Sequence, residues 1–288
     1  MLLDVGQTVF DGLMVGGLYA TVALGITLVL GLVGIVNFAH GQVVMLGAYV
    51  TFFVAAISGF WVGLLCSIVL MGVLGAGMER FIFRGTLGDH MAGLTISLGL
   101  IMIIENLATM AFSPDPRFLV PPVSGSISIG PFIFATQRLL VLLVCVALIG
   151  AFYLYLQKAR MGKAIRGMAQ NRLGAALVGI RVTRVTIVIF AIGSALAGGA
   201  GSLFASLFPI TPFMSSALLM KGFILAVLGG IGSVPGAIAA GCLLGLAESF
   251  GSRYLDASFR DGYGFILMIF ALLFFPAGLF GGSTRERV

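Results

Sequence analysis

Stretches of about twenty apolar residues, the length a helix needs to cross a hydrocarbon core, recur along the whole of this 288-residue chain. They fall near 8–33, 40–58, 61–78, 92–112, 138–157, 185–208, 217–250 and 262–280. Charged residues make up only 9% of the chain and hydrophobic ones 60%, whereas a soluble domain carries roughly 25% charge. The expected fold is an all-α polytopic membrane protein of about eight transmembrane segments. Residues 1–288 read as one membrane domain, with no soluble domain and no linker. The opening stretch MLLDVGQTVFDGLM lacks the basic region and small-residue cleavage site of a signal peptide, so the first span is expected to stay. Cys66, Cys145 and Cys242 are solitary within apolar runs and read as small core hydrophobes.

The net charge of +6 is distributed as topology rather than as a nucleic-acid surface. Seven of the sixteen basic residues (Lys158, Arg160, Lys163, Arg166, Arg172, Arg181 and Arg184) lie in the acid-free connector 158–184. Lys and Arg are retained on the cytoplasmic side, so that connector is expected inside. Connector 113–137, whose prolines forbid a continuous helix, then lies outside, and 79–91 returns to the inside. Trp61, Tyr153 and Tyr155 sit where interfacial aromatics belong.

Eight simple crossings would put the tail GGSTRERV outside, although Arg285 and Arg287 favour the inside. The conflict disappears if 217–250 enters and leaves on the same side. Its middle holds Gly229, Gly230, Gly232, Pro235 and Gly236, an interruption that points to a discontinuous helix. The stretch GLVGIVNFAHGQ (31–42) carries a similar interruption between Gly34 and Gly41. Both glycine pairs are seven apart, which is compatible with an internal repeat having one broken helix per half. A shared spacing among 42 glycines is thin support for it.

Polar groups inside a membrane are costly and face a cavity or a partner. Asn37 and Gln42 read first as caps on helix ends released by the glycines, and His40 as either a cap or a group on a translocation path. A single histidine makes neither a metal site nor a proton relay. Thr95, Glu105, Asn106 and Thr109 fall within about 100° of one helix face. That stripe is expected to face protein or water, as an interhelical hydrogen-bond seam or as part of the path. Glu248 follows Gly241 and Gly245 at helical spacing and reads as a buried acid in close packing. Gly193, Ala197 and Gly201, with Ser194, Gly198 and Ser202, form small faces suited to close helix approach.

Catalytic and cofactor signatures are missing from the sequence. The Gly162-Lys163 pair is preceded by Gln157 where a P-loop requires glycine. No cofactor, metal, catalytic group or nucleic-acid partner is expected. Segments 164–168 and 173–179 are compatible with two short helices, so 158–184 reads either as a basic loop on lipid headgroups or as a docking surface for a cytoplasmic partner.

GIVNFAHGQ, NRLGAALVGI followed by FAIGSALAG, KGFILAVLGGIGSVPGA and FPAGLFG, in that order, resemble the LivH-type permease of branched-chain amino acid ABC importers. The resemblance spans nearly the whole chain. It implies a homologous second permease subunit, two cytoplasmic ATPases, a periplasmic substrate-binding protein and a bacterial inner-membrane location. It also makes 158–184 the ATPase-docking segment, through Arg166 and with Ala175, Ala176, Gly179 and Ile180 at its small-residue positions. Leu173 and Phe275 depart from the family, which commonly has an acid and a base at those places.

The leading expectation is therefore the permease subunit of an importer for branched-chain or similar small amino acids. A urea or short-chain amide importer uses closely similar permeases. An ion-coupled secondary transporter would have to work with the isolated Glu105, His40 and Glu248, and a channel-like pore leaves the long basic loop unexplained.

Overall fold

The computed structural model describes residues 2–87, 89–129, 132–275 and 277–280. The tail with Arg285 and Arg287 lies outside the described residues. Helix α1 (Leu2–Leu28) runs into a π-helical turn (Val29–Val33) that stops at Gly34, whose φ is 77°. After an irregular stretch come α2 (His40–Ser58), α3 (Phe60–Phe81) and α4 (His90–Phe112). The 113–137 connector contains a hairpin, β1 (Ser126–Ile129) antiparallel to β2 (Phe132–Ala135). Then follow α5 (Thr136–Lys158), α6 (Arg160–Gln170), α7 (Arg172–Leu177) and α8 (Val182–Ala205). The chain continues with α9 (Met214–Gly229), α10 (Val234–Tyr254) and α11 (Arg260–Phe274). Among the described residues, eight helical segments are long and apolar enough to cross a membrane, and α9, at 16 residues, is a shorter apolar helix.

Local chemistry explains the boundaries. Asp89 caps α4 by accepting from the Ala92 amide at 3.0 Å. Ser233 caps α10 by accepting from Gly236 at 3.1 Å, with Pro235 in the first turn where its missing N–H costs nothing. Gly230 and Gly232 take φ of 96° and 86° between α9 and α10, a region closed to most side chains.

Small residues set the packing. α1 and α10 run antiparallel along most of their length, and a Cβ at Gly16 would lie 2.6 Å from the Gly241 carbonyl oxygen. Backbones this close leave no room for a methyl group, and dispersion across the contact replaces the hydrophobic drive that lipid cannot supply. The small face of α8 works the same way. Gly198 meets the α3 backbone at Ser67, Gly201 meets α2 at Val44, and Gly193 lies against Gly25 of α1. Ser202 and Thr51 hydrogen-bond across the α2–α8 seam at 2.6 Å.

The 217–250 stretch is a hairpin of two helices, α9 and α10, joined at its glycine-rich interruption. Its turn, 230–233, lies at the end of the bundle that carries α6 and α7. There a 250 Å³ cavity is lined by Gln157, Ile165 and Arg166 together with Gly232 and Pro235. The amides of Leu279 and Phe280 donate to the Leu228 and Gly229 carbonyls at 2.8 and 3.2 Å. The end of the described chain thus reaches the same basic end as 158–184, and the start of α9 and the end of α10 face the opposite end. At that opposite end, Arg117 and Ile210 exchange backbone hydrogen bonds at 2.9 and 2.8 Å. These tie connector 113–137 to the loop before α9.

Candidate functional site

The first helix break places a helix start inside the bundle. Residues 34–39 climb from the basic end along α4, where Ser97 Oγ donates to the Val36 carbonyl at 3.3 Å. α2 begins at His40, which packs beside Gly25 and Gly193. Gly193 is the twelfth residue of α8, so α2 starts about 16 Å above the basic end of that helix. Its N-cap, Ala39, supplies no side-chain hydrogen bond. In that first turn the His40, Gln42 and Val43 amides bond the Asn37 and Ala39 carbonyls at 3.1–3.4 Å, so this start presents the Gly41 amide and the positive end of a helix dipole within the apolar layer.

The polar side chains here have distinct roles. Asn37 Oδ1 accepts from the Ala39 amide at 3.0 Å, which satisfies one released N–H. His40 is 1% exposed, and a Cβ at Gly25 would lie 2.5 Å from its imidazole. Its Nε2 has no partner among the described residues. Gln42, also 1% exposed, is not a cap: its Nε2 donates to Glu105 Oε2 on α4 at 3.2 Å, and its Oε1 is unpartnered. The reason is position. Gln42 is the third residue of α2, so its side chain leaves the helix axis toward α4 instead of folding back. Ser215 Oγ on α9 is likewise buried and unpartnered, and its carbonyl packs against Gly41.

One sequence expectation changes in three dimensions. Gly41 and Gly236 are not in the breaks; they are the second residue of α2 and the third of α10. Gly41 is small because the α9 backbone at Ser215 crosses it. Gly236 packs on Gly229 across the hairpin. The polar stripe of α4 lies at the surface of this chain. Only Glu105 reaches another helix, while Thr95 and Asn106 are exposed and bond carbonyls four residues back, at Met91 and Met102. Thr109 does the same to Glu105 at 2.8 Å. Short polar side chains on a helix satisfy themselves this way without an interhelical partner.

At the basic end, α6 and α7 lie across the bundle. Arg166 hydrogen-bonds Gln157, Ala175 is buried, and Ala176 is exposed. The Ile180 amide donates to the Ala175 carbonyl at 3.0 Å, which closes α7 through Gly179, whose φ is 88°. Glycine is required at 179 by the backbone itself. Leu173, Leu177 and Val178 are strongly exposed, Leu177 to 81%.

Sequence reading missed the strongest electrostatic cluster. Glu248, 0% exposed, accepts from Tyr19 at 2.9 Å and from Arg260 Nε at 3.2 Å. It also accepts from Lys221 Nζ at 2.7 and 2.9 Å. Lys221 additionally donates to the Tyr19 hydroxyl at 2.7 Å and pairs with Asp261 at 2.9 Å. The signal was present, because Lys221 and Glu248 are the only charges between residues 185 and 252. Two opposite charges alone in so long an apolar stretch have to meet.

The chain matches a family model described as branched-chain amino acid transport system / permease component, over residues 8–274. It belongs to that permease family. Its similarity to LivH of Escherichia coli strain K12, a high-affinity branched-chain amino acid transport system permease protein, is 32% identity over 299 residues. That alignment covers 98% of this chain and 97% of the relative. BraD of Pseudomonas aeruginosa, a permease protein of the same description, is 31% identical over 98% of this chain and 97% of its own length. LivM of E. coli, a further permease protein of that system by name, is 25% identical over 91% of this chain and 67% of its own length. No solved structure matches. The family match covers both helix breaks, α6–α7, Lys221 and Glu248, so all of these are parts of a permease fold.

Proposed function

We propose that this permease is one of two homologous membrane-spanning subunits of an ABC importer for branched-chain or similar small amino acids in the bacterial inner membrane. The observation that carries the reading is the double match. The chain is similar to both LivH and LivM, two differently named permease proteins of one E. coli system. Residues 1–288 form a single permease domain without a nucleotide site of its own. α6 and α7 dock the cytoplasmic ATPases through the exposed apolar tip at Leu173, Leu177 and Val178, while Arg166, Ala175, Ala176, Gly179 and Ile180 shape the platform beneath it. A periplasmic binding protein delivers substrate at the opposite end.

The translocation path runs past the start of α2. A zwitterion crossing an apolar layer needs a favourable potential for its carboxylate, and the positive dipole end of a helix that begins inside the layer supplies it. Gln42, Glu105 and His40 line that start, and the polar edge of α4 (exposed Thr95 and Asn106, half-buried Thr109) faces the homologous subunit across the path. An ion-coupled carrier is disfavoured because Glu248, the most buried acid of the site regions, is already neutralised by Lys221 and Arg260.

Reconstitution tests the reading. The chain alone should neither hydrolyse ATP nor accumulate leucine, while the complex with a second permease, two ATPases and a binding protein should do both. Accumulation by the chain alone on a proton or sodium gradient would move it to the secondary carriers. Preferential uptake of urea or short amides by the full complex would change the substrate.

A further inference from the structure

Two cavities open at the end of the bundle opposite α6–α7, and they share Phe208 and Arg260. The larger, 420 Å³, lies between α9 and the start of α11, with Tyr19 of α1 at its base. Pockets of this size, mostly apolar with a few convergent polar groups, are where small molecules bind. Here the apolar wall is Phe208, Met214 and Leu218, and the polar side is Lys221, Arg260 and Asp261.

The charges in this cavity are incompletely used. Lys221 is committed to Tyr19, Glu248 and Asp261. Arg260 engages Glu248 only through Nε, so among the described residues its two terminal nitrogens have no protein partner. A guanidinium with both terminal nitrogens free is a bidentate carboxylate receptor. The next residue, Asp261, has one oxygen on Lys221 and a side chain 72% exposed, which leaves its other oxygen open to an ammonium group. An anion receptor and a cation receptor on consecutive residues, facing an apolar wall, match a free α-amino acid with an apolar side chain.

We propose that this cavity is a reception site for such an amino acid, with its carboxylate on Arg260, its ammonium on Asp261 and its side chain against Phe208, Met214 and Leu218. The proposal rests on the importer reading and extends it to a place where substrate first contacts the permease. α9 connects the two regions. Met214, Ala217, Leu218 and Lys221 line the cavity, whereas Ser215 and Leu219, about 100° around the helix, pack against Gly41 at the start of α2. The same helix thus lines the cavity and packs on the start of α2.

The test uses the assembled transporter in phosphatidylcholine nanodiscs, with Cys66, Cys145 and Cys242 replaced by alanine and Ala217→Cys introduced. Ala217 is exposed within the cavity wall, so a water-soluble maleimide should react there. Millimolar leucine should slow the reaction severalfold. Leucinol, which lacks the carboxylate, and 4-methylpentanoate, which lacks the ammonium, should not. Adding Asp261→Asn should abolish protection by leucine. A thiol that no reagent reaches, equal protection by all three compounds, or no protection at all would each overturn the site. Protection that appears only when phosphatidylethanolamine is added would assign it to a lipid headgroup and overturn it as well. ATP-driven leucine uptake by the unlabelled complex reports separately on the importer reading.

Discussion

Replacing Lys221 with methionine should destabilise the protein by about 3 kcal/mol. Methionine keeps the length and apolar stem of lysine, so packing changes little and the loss is electrostatic. The substitution removes the Lys221 hydrogen bonds to Glu248 (2.7 and 2.9 Å), to the Tyr19 hydroxyl (2.7 Å) and the ion pair to Asp261 (2.9 Å). Glu248 has no exposed surface through which to recover water. Deleting one partner of a buried ion pair typically costs about 3–5 kcal/mol. The low end applies because Arg260, at 3.2 Å, and the Tyr19 hydroxyl, at 2.9 Å, still hold the carboxylate. Glu248→Gln alone should cost less, about 2 kcal/mol, since Lys221 keeps Asp261 and Tyr19. The double variant should recover part of the loss, giving a coupling energy of about 2 kcal/mol. Titration of the purified protein from mild detergent into a denaturing one, followed by circular dichroism, measures all four corners of the cycle. If Lys221→Met lies within about 1 kcal/mol of the parent, or the double variant equals the sum of the singles, Glu248 is not held as described.

Three further outcomes follow from the geometry. Gly16→Val should drive α1 from α10 and lower stability by about 1–3 kcal/mol, whereas Gly77→Ala, inside α3 where an added Cβ meets nothing within 4 Å, should raise stability by up to about 1 kcal/mol; thermal aggregation of the two variants compares them. Leu177→Glu, at a side chain that is already exposed, should leave folding intact but abolish co-purification of the ATPase subunits, and retained subunits with full uptake would make α7 a lipid-facing element. Asn37→Leu should lower stability by about 1 kcal/mol through loss of the Ala39 cap, while His40→Ala should lower the transport rate with less effect on yield; matched yield and initial-rate measurements separate the two.

Much of the architecture was legible because the bilayer restricts the choices so severely. A lipid-facing backbone has to satisfy itself within one helix, so the apolar runs marked the spans, and Gly34, Gly230 and Gly232 marked where helices stop. The small residues of α8 announced a close-packed helix, which meets α1, α2 and α3. The positions of Gln42 and Gly41 were misjudged for one reason. A cap and a buried interhelical contact draw on the same residue types within two positions of a helix start, and spacing alone does not separate them.

What the sequence by itself determined were properties carried by individual segments. These are the all-helical class, the order of spans, the basic connector, the two interruptions and the family. Each follows from hydropathy, backbone conformation or charge retention, which act within about twenty residues. Tertiary structure alone decided how distant segments meet. It set α1 against α10 along their glycines, placed the tip of the 217–250 hairpin beside α6 at the basic end, and raised the start of α2 into the apolar layer. It also brought Tyr19, Lys221, Glu248, Arg260 and Asp261, from four helices, into one cluster beside an open cavity. Van der Waals fit between backbones and pairing of buried charges depend on distances that no local pattern encodes, so helix partners and the site between them become visible only when the whole bundle is assembled.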